Sequence, residues 1–497
     1  MKIKDYILEI VVFVCGSVVM IFELVGSRIL GPYFGTSIFV WTSLMGVILG
    51  SLSLGYYLGG KIADKKPTIG MLSLIIYMSA LTILFTFIFK DIILMFLRTY
   101  ILGVRTASVF GSIFLFFPTS LLLGMVSPYA VKLKLNNLNL SGSTVGNLYA
   151  ISTAGSIVGT FMSGFYLIPQ FGTNKLLIIL SILLLLVSIF LSIKKHLEYK
   201  LFFVICLLII FIIVSYLNSK SDKSGLIDVD TAYNRVWIYD YVNKNTNKIT
   251  KIMGINNENH SSMFLDSDDL VNEYTKYYHL AKYFNPSFKK TLMLGGAGYS
   301  FPKDFLLKYP EATIDVVEID PKITELAKKY FRLKDNDRLS IYHEDGRVYL
   351  NTTKEKYDVI FGDAFGSHYS LPYQLTTKEA TIKKYNILNN DGIVILNIIS
   401  AIEGPSGKFL RAEYATYKSI FPQVYLFPIV NSNDGEDVQN IILVALKSPD
   451  SKFEMVDKND PIIDSYLQHL WKKDVTMDMP ILTDDFAPVD SYINNIL

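Results

Sequence analysis

The first 217 residues of this 497-residue chain contain seven apolar runs, each long enough to cross a bilayer. A helix needs about 20 residues to span the ~30 Å hydrocarbon core. The runs lie at 8–30, 38–60, 70–89, 107–131, 145–168, 175–193 and 201–217. Because lipid offers no hydrogen bonds to the backbone, spanning segments of this kind are helices. The sequence therefore predicts an α-helical transmembrane bundle of about seven spans in the cell membrane, with the lipid bilayer as its partner.

Within this bundle, one short stretch and three glycine pairs stand out. The stretch 91–104 is apolar but short and contains Arg98, which indicates an interfacial helix; an eighth, tilted crossing is the alternative. The spans also contain glycines four residues apart, at Gly46/Gly50, Gly55/Gly59 and Gly155/Gly159. Since glycine leaves no side chain between two helices, we expect these pairs to allow close helix packing.

The remainder of the chain, residues 218–497, has the composition of a soluble protein. We predict three parts: a transmembrane domain at 1–217, a small β region with a lead-in helix at 218–285, and an α/β domain at 286–497. The net charge of only +2 provides no basic surface for nucleic acid. Cys15 and Cys206 both lie in apolar runs, so neither a disulfide nor a cysteine metal site is expected, and no metal is predicted.

Short apolar strands alternate with helices after residue 286. Strands are predicted at 291–294, 313–318, 339–342, 357–362 and 392–398, and helices at 302–308, 321–331, 347–352 and 377–388. Repeated βα units of this length predict a Rossmann-like domain, in which helices cover both faces of a parallel sheet. Ahead of this domain, strands are predicted at 233–241, 248–253 and 263–265, followed by a helix at 270–284.

The first two strands of the predicted sheet end in residues suited to a nucleoside. The first is followed by Gly295, Gly296 and Gly298, and a glycine turn at a helix start lets a ligand approach backbone N–H groups. The second ends at Glu318 with Asp320 close behind, and an acidic residue here can accept hydrogen bonds from ribose hydroxyls. The turn reads G-G-A-G-Y-S rather than G-x-G-x-x-G, which argues against NAD.

The next two strands also end in carboxylates. Asp345 and Gly346 follow the third strand, where the Asp can accept a hydrogen bond from an adenine amino group while the Gly leaves room for the ring. Asp363 ends the fourth strand, where it can bind or deprotonate an amine. Because ligands of such sheets bind beyond the carboxyl ends of the strands, we expect all four strand ends to form one adenosylmethionine-type nucleoside site.

These motifs resemble the spermidine synthase family, specifically its membrane-fused bacterial branch. The resemblance covers about residues 230–400, in TLMLGGAGYS, VVEIDPKITELAKKYF, DRLSIYHEDGRVYL and YDVIFGDAFGSHYSLPYQLTTKE. It is fainter in the membrane half, in FELVGSRILGPYFG and GNLYAISTAGSIVG, and it includes the tail LTDDFAPVD. The resemblance implies an enzyme that transfers an aminopropyl group from decarboxylated S-adenosylmethionine to putrescine or a related amine and releases methylthioadenosine.

The resemblance also implies a role for each matched residue on the nucleoside side. Glu318 would hold the ribose, while Asp345 and Gly346 would contact the adenine. Pro372 would line the nucleoside, and Asn234 stands where the family usually has a Gln beside it. This half of the family site is therefore well retained.

The amine side departs further from the family. Asp363 is retained, as the general base that would take a proton from the attacking amine. Gly298 and Gly366 stand where the family usually has Asp, and its upstream Tyr-His pair is replaced near Lys276-Tyr277. Side chains that could contact the amine instead are Asp268, Asp269, Glu273, Tyr277, Tyr278, Glu344 and His368. For His368, a solvated loop position is the alternative.

Two other functions stay open. The domain could serve a different transferase that uses intact S-adenosylmethionine, because a glycine at position 298 removes repulsion against the carboxylate of that molecule. Its acceptor would then be membrane-associated. The domain could also belong to a transporter or sensor that binds a nucleoside without turnover. Each of these functions is compatible with a homodimer.

The charges of the loops predict how the chain crosses the membrane. Ten Lys residues lie in loops on the side of the N-terminus and four Lys or Arg residues on the opposite side, so the N-terminus is expected in the cytoplasm. Seven spans would then place the soluble domain outside the cell. A cytosolic nucleoside substrate favours a cytoplasmic domain instead, and this is our prediction.

Overall fold

A computed structural model describes residues 6–101, 103–135, 141–191, 225–242, 248–256, 258–364, 371–450 and 460–493. The chain forms two compact units. The first comprises Met1–Gly225 and Ala232–Asn234, and the second comprises Leu226–Thr231 and Arg235–Leu497.

The first unit is helical. Its helices are α1 (Ile7–Phe34), α2 (Ile38–Lys65), α3 (Ile69–Tyr100), α4 (Val104–Gly124), α5 (Val126–Lys134), α6 (Ser141–Met162) and α7 (Ile168–Leu191). A π-helical turn, Ser163–Leu167, joins the last two. Among the described residues, five helical segments are long and apolar enough to span a membrane: α1, α2, α3, α4 together with α5, and the run Ser141–Leu191.

The predicted arrangement of seven separate spans is not reproduced in the described part of the unit. The predicted span 145–168 and the described part of the predicted span 175–193 both fall within the helical run Ser141–Leu191, which departs from helical geometry at Gly172, with φ of 71°. The predicted span 201–217 lies outside the described residues. The interfacial helix predicted at 91–104 is wrong, because α3 continues without a break to Tyr100.

Two of the three glycine pairs lie where helix backbones touch. A Cβ atom on Gly55 would lie only 2.3 Å from the carbonyl oxygen of Leu121 on α4. One on Gly155 would lie 2.1 Å from the carbonyl oxygen of Phe13 on α1. The second member of each pair is crowded too: a Cβ atom on Gly59 would lie 2.6 Å from Met125 Cα, directly after α4, and one on Gly159 would lie 2.5 Å from the carbonyl oxygen of Ser17 on α1. These glycines therefore set the spacing of the α2–α4 and α1–α6 contacts.

The third pair does not pack in this way. No described atom lies within 4 Å of a Cβ built on Gly46 or Gly50. The expectation of close helix packing is therefore wrong for this pair, because the two glycines face away from the other described helices.

We expect Gly155→Val to destabilise the helical unit, because the added carbons would force α1 and α6 apart. Overpacking of a close contact typically costs about 1–3 kcal/mol. Gly50→Val makes the same chemical change in open space and is the matched control. Thermal unfolding of the detergent-solubilised protein checks this: equal melting temperatures for the two variants would contradict the packing role of Gly155.

The second unit opens with a four-stranded antiparallel sheet of order β1-β2-β3-β4. Its strands are β1 (Ile227–Asp230), β2 (Arg235–Val242), β3 (Ile249–Ile255) and β4 (Glu258–Phe264). The sequence predicts β2, β3 and part of β4, but it does not predict β1. The helix predicted at 270–284 is broken into α8 (Glu273–Lys276), a 3₁₀ turn (Tyr277–His279) and α9 (Leu280–Phe284).

A seven-stranded sheet follows, with the order β10-β11-β9-β8-β5-β6-β7. Its strands are β5 (Lys290–Leu294), β6 (Thr313–Val317), β7 (Leu339–Tyr342), β8 (Tyr357–Gly362), β9 (Leu388–Ser400), β10 (Gln423–Pro428) and β11 (Gln439–Leu446). The helices of this part are α10 (Ser300–Lys308), α11 (Pro321–Tyr330), α12 (Gly346–Thr352), α13 (Lys378–Ile387), α14 (Lys408–Lys418), α15 (Pro461–Leu467) and α16 (Val489–Ile493). Single 3₁₀ turns lie at Tyr373–Leu375 and Pro405–Gly407.

The sheet is mixed rather than fully parallel, which corrects the prediction. Strands β7, β6, β5, β8 and β9 run parallel to one another, whereas β11 pairs antiparallel with both β9 and β10. The reversal arises because β10 and β11 follow each other as a hairpin at the edge of the sheet. Alternate side chains of the parallel strands enter different cores: Met293 and Phe361 lie in one, Leu294 and Ile360 in the other.

The order of the strands fixes where a ligand can bind. The chain leaves β5 toward β6 and β7, and it then returns to place β8 on the opposite side of β5. Such a switch point opens a crevice between the carboxyl ends of the two strands. The N–H of Asp363 donates to the carbonyl oxygen of Leu294 at 2.9 Å, which holds the ends of β5 and β8 level.

Candidate active site

The glycine turn after β5 lies directly against the end of β8. Gly295 has φ of 95°, in the left-handed region that favours glycine. A Cβ atom here would lie 2.4 Å from the carbonyl oxygen of Asp363. Ala297 and Tyr299 also have positive φ, of 42° and 54°. The tight coil turns backbone N–H groups away from β5 and toward the end of β6.

Glu318 receives those N–H groups. Its Oε2 atom accepts hydrogen bonds from Gly296 N at 3.0 Å and Ala297 N at 3.1 Å, and Oε1 accepts one from Asp320 N at 3.0 Å. The residue is only 7 % exposed. Burial raises the pKa of Glu318, and the three backbone donors act in the opposite direction. The carboxylate therefore joins the ends of β5 and β6.

Asp320 and Asp345 both cap helices. Asp320 Oδ1 accepts from Lys322 N at 3.0 Å at the start of α11, and its Oδ2 accepts from the hydroxyl of Thr231. Asp345 Oδ1 accepts from the N–H groups of the second and third residues of α12, at 2.8 and 3.0 Å. These contacts explain why both carboxylates lie at strand ends. The ligand roles predicted for the two residues stay predictions.

Asp363 lies between two polar partners. Tyr274 donates its hydroxyl to Oδ2 at 3.1 Å, and Asn397 Nδ2 donates to Oδ1 at 3.2 Å. Asn440 Nδ2 donates to Asn397 Oδ1 at 2.9 Å, which directs the amide nitrogen of Asn397 toward Asp363. Desolvation raises the pKa of Asp363 to about 6, although the hydrogen bonds from Asn397 and Tyr274 and the nearby hydroxyl of Tyr278 lower it. The carboxyl group is therefore mostly ionised at neutral pH, and its pKa is close enough to neutral pH for the group to accept a proton.

A cleft of about 380 Å³, including its open mouth, brings the glycine turn and Asp363 together. Its lining consists of Ser261, Ser262, Val271, Asn272, Tyr274, Thr275, Met293, Gly295, Gly296, Ala297, Ser300, Phe301, Pro302 and Asp363. Strand β4 and the residues around α8 thus form one side of the cleft, and the ends of β5 and β8 form the other. Among these described lining residues, Asp363 is the carboxylate.

Gly298 has no space for a side chain. A Cβ atom here would lie 2.7 Å from Ser261 Cβ and 2.9 Å from a ring carbon of Phe331. The N–H of Gly298 donates to Ser261 Oγ at 2.9 Å. Strand β4 therefore occupies the space that an Asp at position 298 would need, which accounts physically for the glycine.

A second wall lies beside the end of β7. Pro372 precedes the 3₁₀ turn Tyr373–Leu375, and a Cβ atom on Gly346 would lie 3.5 Å from Leu375 Cδ1. We call Asp345, Gly346 and Pro372–Leu375 the β7 wall. The structure therefore brings two of the predicted nucleoside positions, Gly346 and Pro372, into one neighbourhood.

The side chains proposed to contact the amine are mostly placed elsewhere. Tyr277 is buried and stacks on Tyr466, with ring centroids 4.4 Å apart. Tyr278 is buried too, although its hydroxyl is close enough to lower the pKa of Asp363. Asp269 is exposed and does not line the cleft. His368 lies outside the described residues, and Asn234 lies in the connection between β1 and β2.

Sequence reasoning missed three residues of the cleft and its immediate support. Tyr274 and Asn397 hold Asp363, and Ser261 holds the glycine turn. The signal for Asn397 was present, because a polar residue in the apolar strand VILNIIS needs a buried partner. No pattern identifies Tyr274 or Ser261, whose roles depend on contacts between distant segments. In the part of the chain that is described, no group of three or more His, Cys, Asp or Glu residues is placed to hold a metal ion.

The second unit is similar in sequence to known proteins. Residues 273–427 match the spermine/spermidine synthase domain. A polyamine aminopropyltransferase from Vibrio vulnificus is 28% identical over 222 residues, which cover 42% of this chain and 71% of that protein. One from Streptococcus pneumoniae is 33% identical over 181 residues, which cover 35% of this chain and 62% of that protein. The chain thus spans less than two thirds of the streptococcal relative.

A longer match extends into the helical unit. Polyamine aminopropyltransferase 2 from Aquifex aeolicus is 23% identical over 404 residues, which cover 78% of each protein. The crystal structure of a probable spermidine synthase from Corynebacterium glutamicum superposes with a TM-score of 0.39 at 21% identity, covering 48% of this chain and 85% of that one. On the sequence matches, the C-terminal domain of this chain fits the spermine/spermidine synthase family.

Proposed function

We propose that the chain is a membrane-bound aminopropyltransferase that transfers an aminopropyl group from decarboxylated S-adenosylmethionine to putrescine or a related amine. The observation that carries this proposal is the position of Asp363 at the end of β8, in one cleft with the glycine turn and hydrogen-bonded by Tyr274 and Asn397. The matched domain and the polyamine aminopropyltransferase relatives support an aminopropyltransferase enzyme. The five long apolar helices support a location in the membrane.

The residues at the other strand ends fit the nucleoside part of the co-substrate. Glu318 offers a buried carboxylate that could accept hydrogen bonds from both ribose hydroxyls, and it already accepts hydrogen bonds from the glycine turn that lines the cleft. The β7 wall offers Asp345 for the adenine amino group and Gly346 for the face of the ring. Both assignments depend on the proposed function.

The chemistry needs a base and a good leaving group. The ionised carboxylate of Asp363 attracts the cationic amine and accepts one proton from it, which frees the nitrogen lone pair. The nitrogen attacks the propyl carbon next to the sulfonium, so that a C–N bond forms while the C–S bond breaks. The bonding electron pair moves to sulfur and neutralises its charge, and methylthioadenosine leaves. Tyr274 and Asn397 hold the carboxylate in position during the transfer.

One observation favours a second candidate function. Gly298 brings no carboxylate to the cleft, and β4 fills the space that one would need. An intact S-adenosylmethionine would therefore meet no negative charge at this position, and the domain could transfer a group from it to a membrane-associated acceptor.

Incubation of the purified protein with putrescine and each sulfonium compound separates the two functions. We expect methylthioadenosine to appear with decarboxylated S-adenosylmethionine and not with the intact form. A methylated product, or release of methylthioadenosine from the intact form, would instead support the second function. Tight nucleoside binding without any product would point to a transporter or sensor.

Asp363→Asn should lower the turnover number by about 10²-fold or more, the usual scale for the loss of a general base. The amide has the same shape but cannot accept the proton, so binding of methylthioadenosine should stay nearly unchanged. Asp269→Asn, at an exposed position outside the cleft, is the control. Turnover of Asp363→Asn at the level of that control would remove Asp363 from the mechanism.

The pH dependence of kcat/KM should contain a limb that rises with pH, with its midpoint near 6. The pKa of Asp363 is raised to about 6, so below this pH the carboxyl group is protonated and cannot accept a proton. Tyr274→Phe removes a hydrogen bond that lowers this pKa, and the limb should therefore move to higher pH. An identical limb in both proteins would show that it belongs to another group.

A further inference from the structure

The tail motif LTDDFAPVD has no part in the proposed chemistry, yet its first Asp makes a specific contact. Asp484 Oδ2 accepts from Arg347 Nη2 at 2.6 Å, and Oδ1 accepts from Arg347 Nη1 at 3.1 Å. Thr377 Oγ1 donates to the same Oδ1 at 2.7 Å. Two parallel N–H···O bonds from one guanidinium fix both distance and orientation. The tail is therefore joined to the start of α12 through the side chain of Arg347.

Arg347 also contacts the β7 wall. Its Nη1 atom donates to the carbonyl oxygen of Gln374 at 2.8 Å, within the 3₁₀ turn. Its backbone N–H donates to Asp345, so one residue touches both segments of the wall. The carbonyl oxygen of Leu375, the next in the chain, accepts from the buried Lys384 Nζ at 2.9 Å. Two cations on neighbouring helices thus hold two successive carbonyl groups of the turn.

These hydrogen bonds from Arg347 and Lys384 determine the position of the 3₁₀ turn within the β7 wall. A Cβ atom built on Gly346 would lie 3.5 Å from the side chain of Leu375, so a shift of the turn would change the space above that glycine. The Asp484 side chain is 46 % exposed, and an exposed ion pair adds little to the stability of a fold. Its geometric effect on the turn is therefore the larger consequence of the pair.

We propose that Asp484, acting through Arg347, is a positioning residue that holds the β7 wall at the spacing needed by the adenosine part of the substrate. The inference rests on the proposed function, since it assigns the β7 wall to the nucleoside. Asp484 itself does not touch the reacting atoms. Its loss should weaken nucleoside binding and leave the transfer step at Asp363 unchanged.

The chain offers a matched control in the same region. Asp478 is also 46 % exposed and also forms a two-bond pair, with Arg411 Nε at 2.6 Å and Nη2 at 3.0 Å. Arg411 donates to the carbonyl oxygens of Ile402 and Gly404, which lie outside the β7 wall. Asp478→Ala therefore removes a similar ion pair without releasing the turn.

Asp484→Ala should raise the Kd for methylthioadenosine and the KM for the sulfonium substrate by about tenfold, the scale of one charge-assisted hydrogen bond. The turnover number should stay within about twofold of the wild-type value, because the hydrogen bonds that hold Asp363 come from Tyr274 and Asn397 and not from Asp484. Asp484→Glu should recover part of the affinity, whereas Asp478→Ala should leave Kd and KM unchanged. Titration calorimetry with methylthioadenosine, initial rates and melting temperatures of the full-length protein measure these effects.

Several outcomes would overturn the positioning role. An unchanged Kd in Asp484→Ala would do so, as would equal losses of affinity in Asp484→Ala and Asp478→Ala, which would indicate a general effect of the tail. Should Asp484→Ala fail to fold, Asp484→Asn serves in its place, since it keeps the shape and removes the charge. Failure of the proposed function looks different: the wild-type protein would release no methylthioadenosine, while calorimetry would still show whether Asp484 controls nucleoside binding.

Discussion

The contact between the end of β5 and the end of β8 is the constraint on which the site depends. Gly295 packs so closely against the backbone of Asp363 that a Cβ atom at position 295 would lie 2.4 Å from the carbonyl oxygen of Asp363. Any side chain at position 295 would therefore push the two strand ends apart. This approach places the glycine turn, the N–H groups that Glu318 binds, and the Asp363 carboxylate around one switch point of the sheet. The remaining parts of the second unit support or cover this junction.

The acidity of Asp363 reflects a balance between two opposing effects. Removal from water disfavours the charged form and is the larger effect, while donors from Tyr274 and Asn397 favour the charged form and offset part of it. A carboxylate with fewer donors would have a higher pKa, and a smaller fraction of it would carry the charge that attracts a cation at neutral pH. One with more donors, or in open water, would be too weak a base to draw a proton from an amine. The two donors, Tyr274 and Asn397, lie 123 residues apart in sequence, so the balance exists only in the folded protein.

The sequence predicted those features of the second unit that have a local signature. The alternation of strands and helices predicted the five parallel strands. The polar residues at four strand ends predicted that Glu318 and Asp363 lie at the carboxyl ends of their strands. The antiparallel edge formed by β10 and β11 was not predicted, because apolar strands carry no mark of their pairing direction. Tyr274 was missed for a related reason: it meets Asp363 across 89 positions of sequence, and only the fold creates that contact. In the helical unit, the spacing of glycines alone does not indicate which face of a helix packs against another helix. The packing predicted for Gly50 was wrong for this reason.

The hydrogen-bond chain from Asn440 through Asn397 to Asp363 links three strands of the sheet, including the antiparallel one. An amide must place its oxygen toward one neighbour and its nitrogen toward the other, so the orientation of Asn397 is transmitted from β11 to β8. The edge hairpin is consequently more than a cover for the apolar core. A replacement of Asn440 that reversed the amide of Asn397 would turn the amide oxygen toward the carboxylate of Asp363. A substitution in this distant hairpin would thereby change the pKa of Asp363.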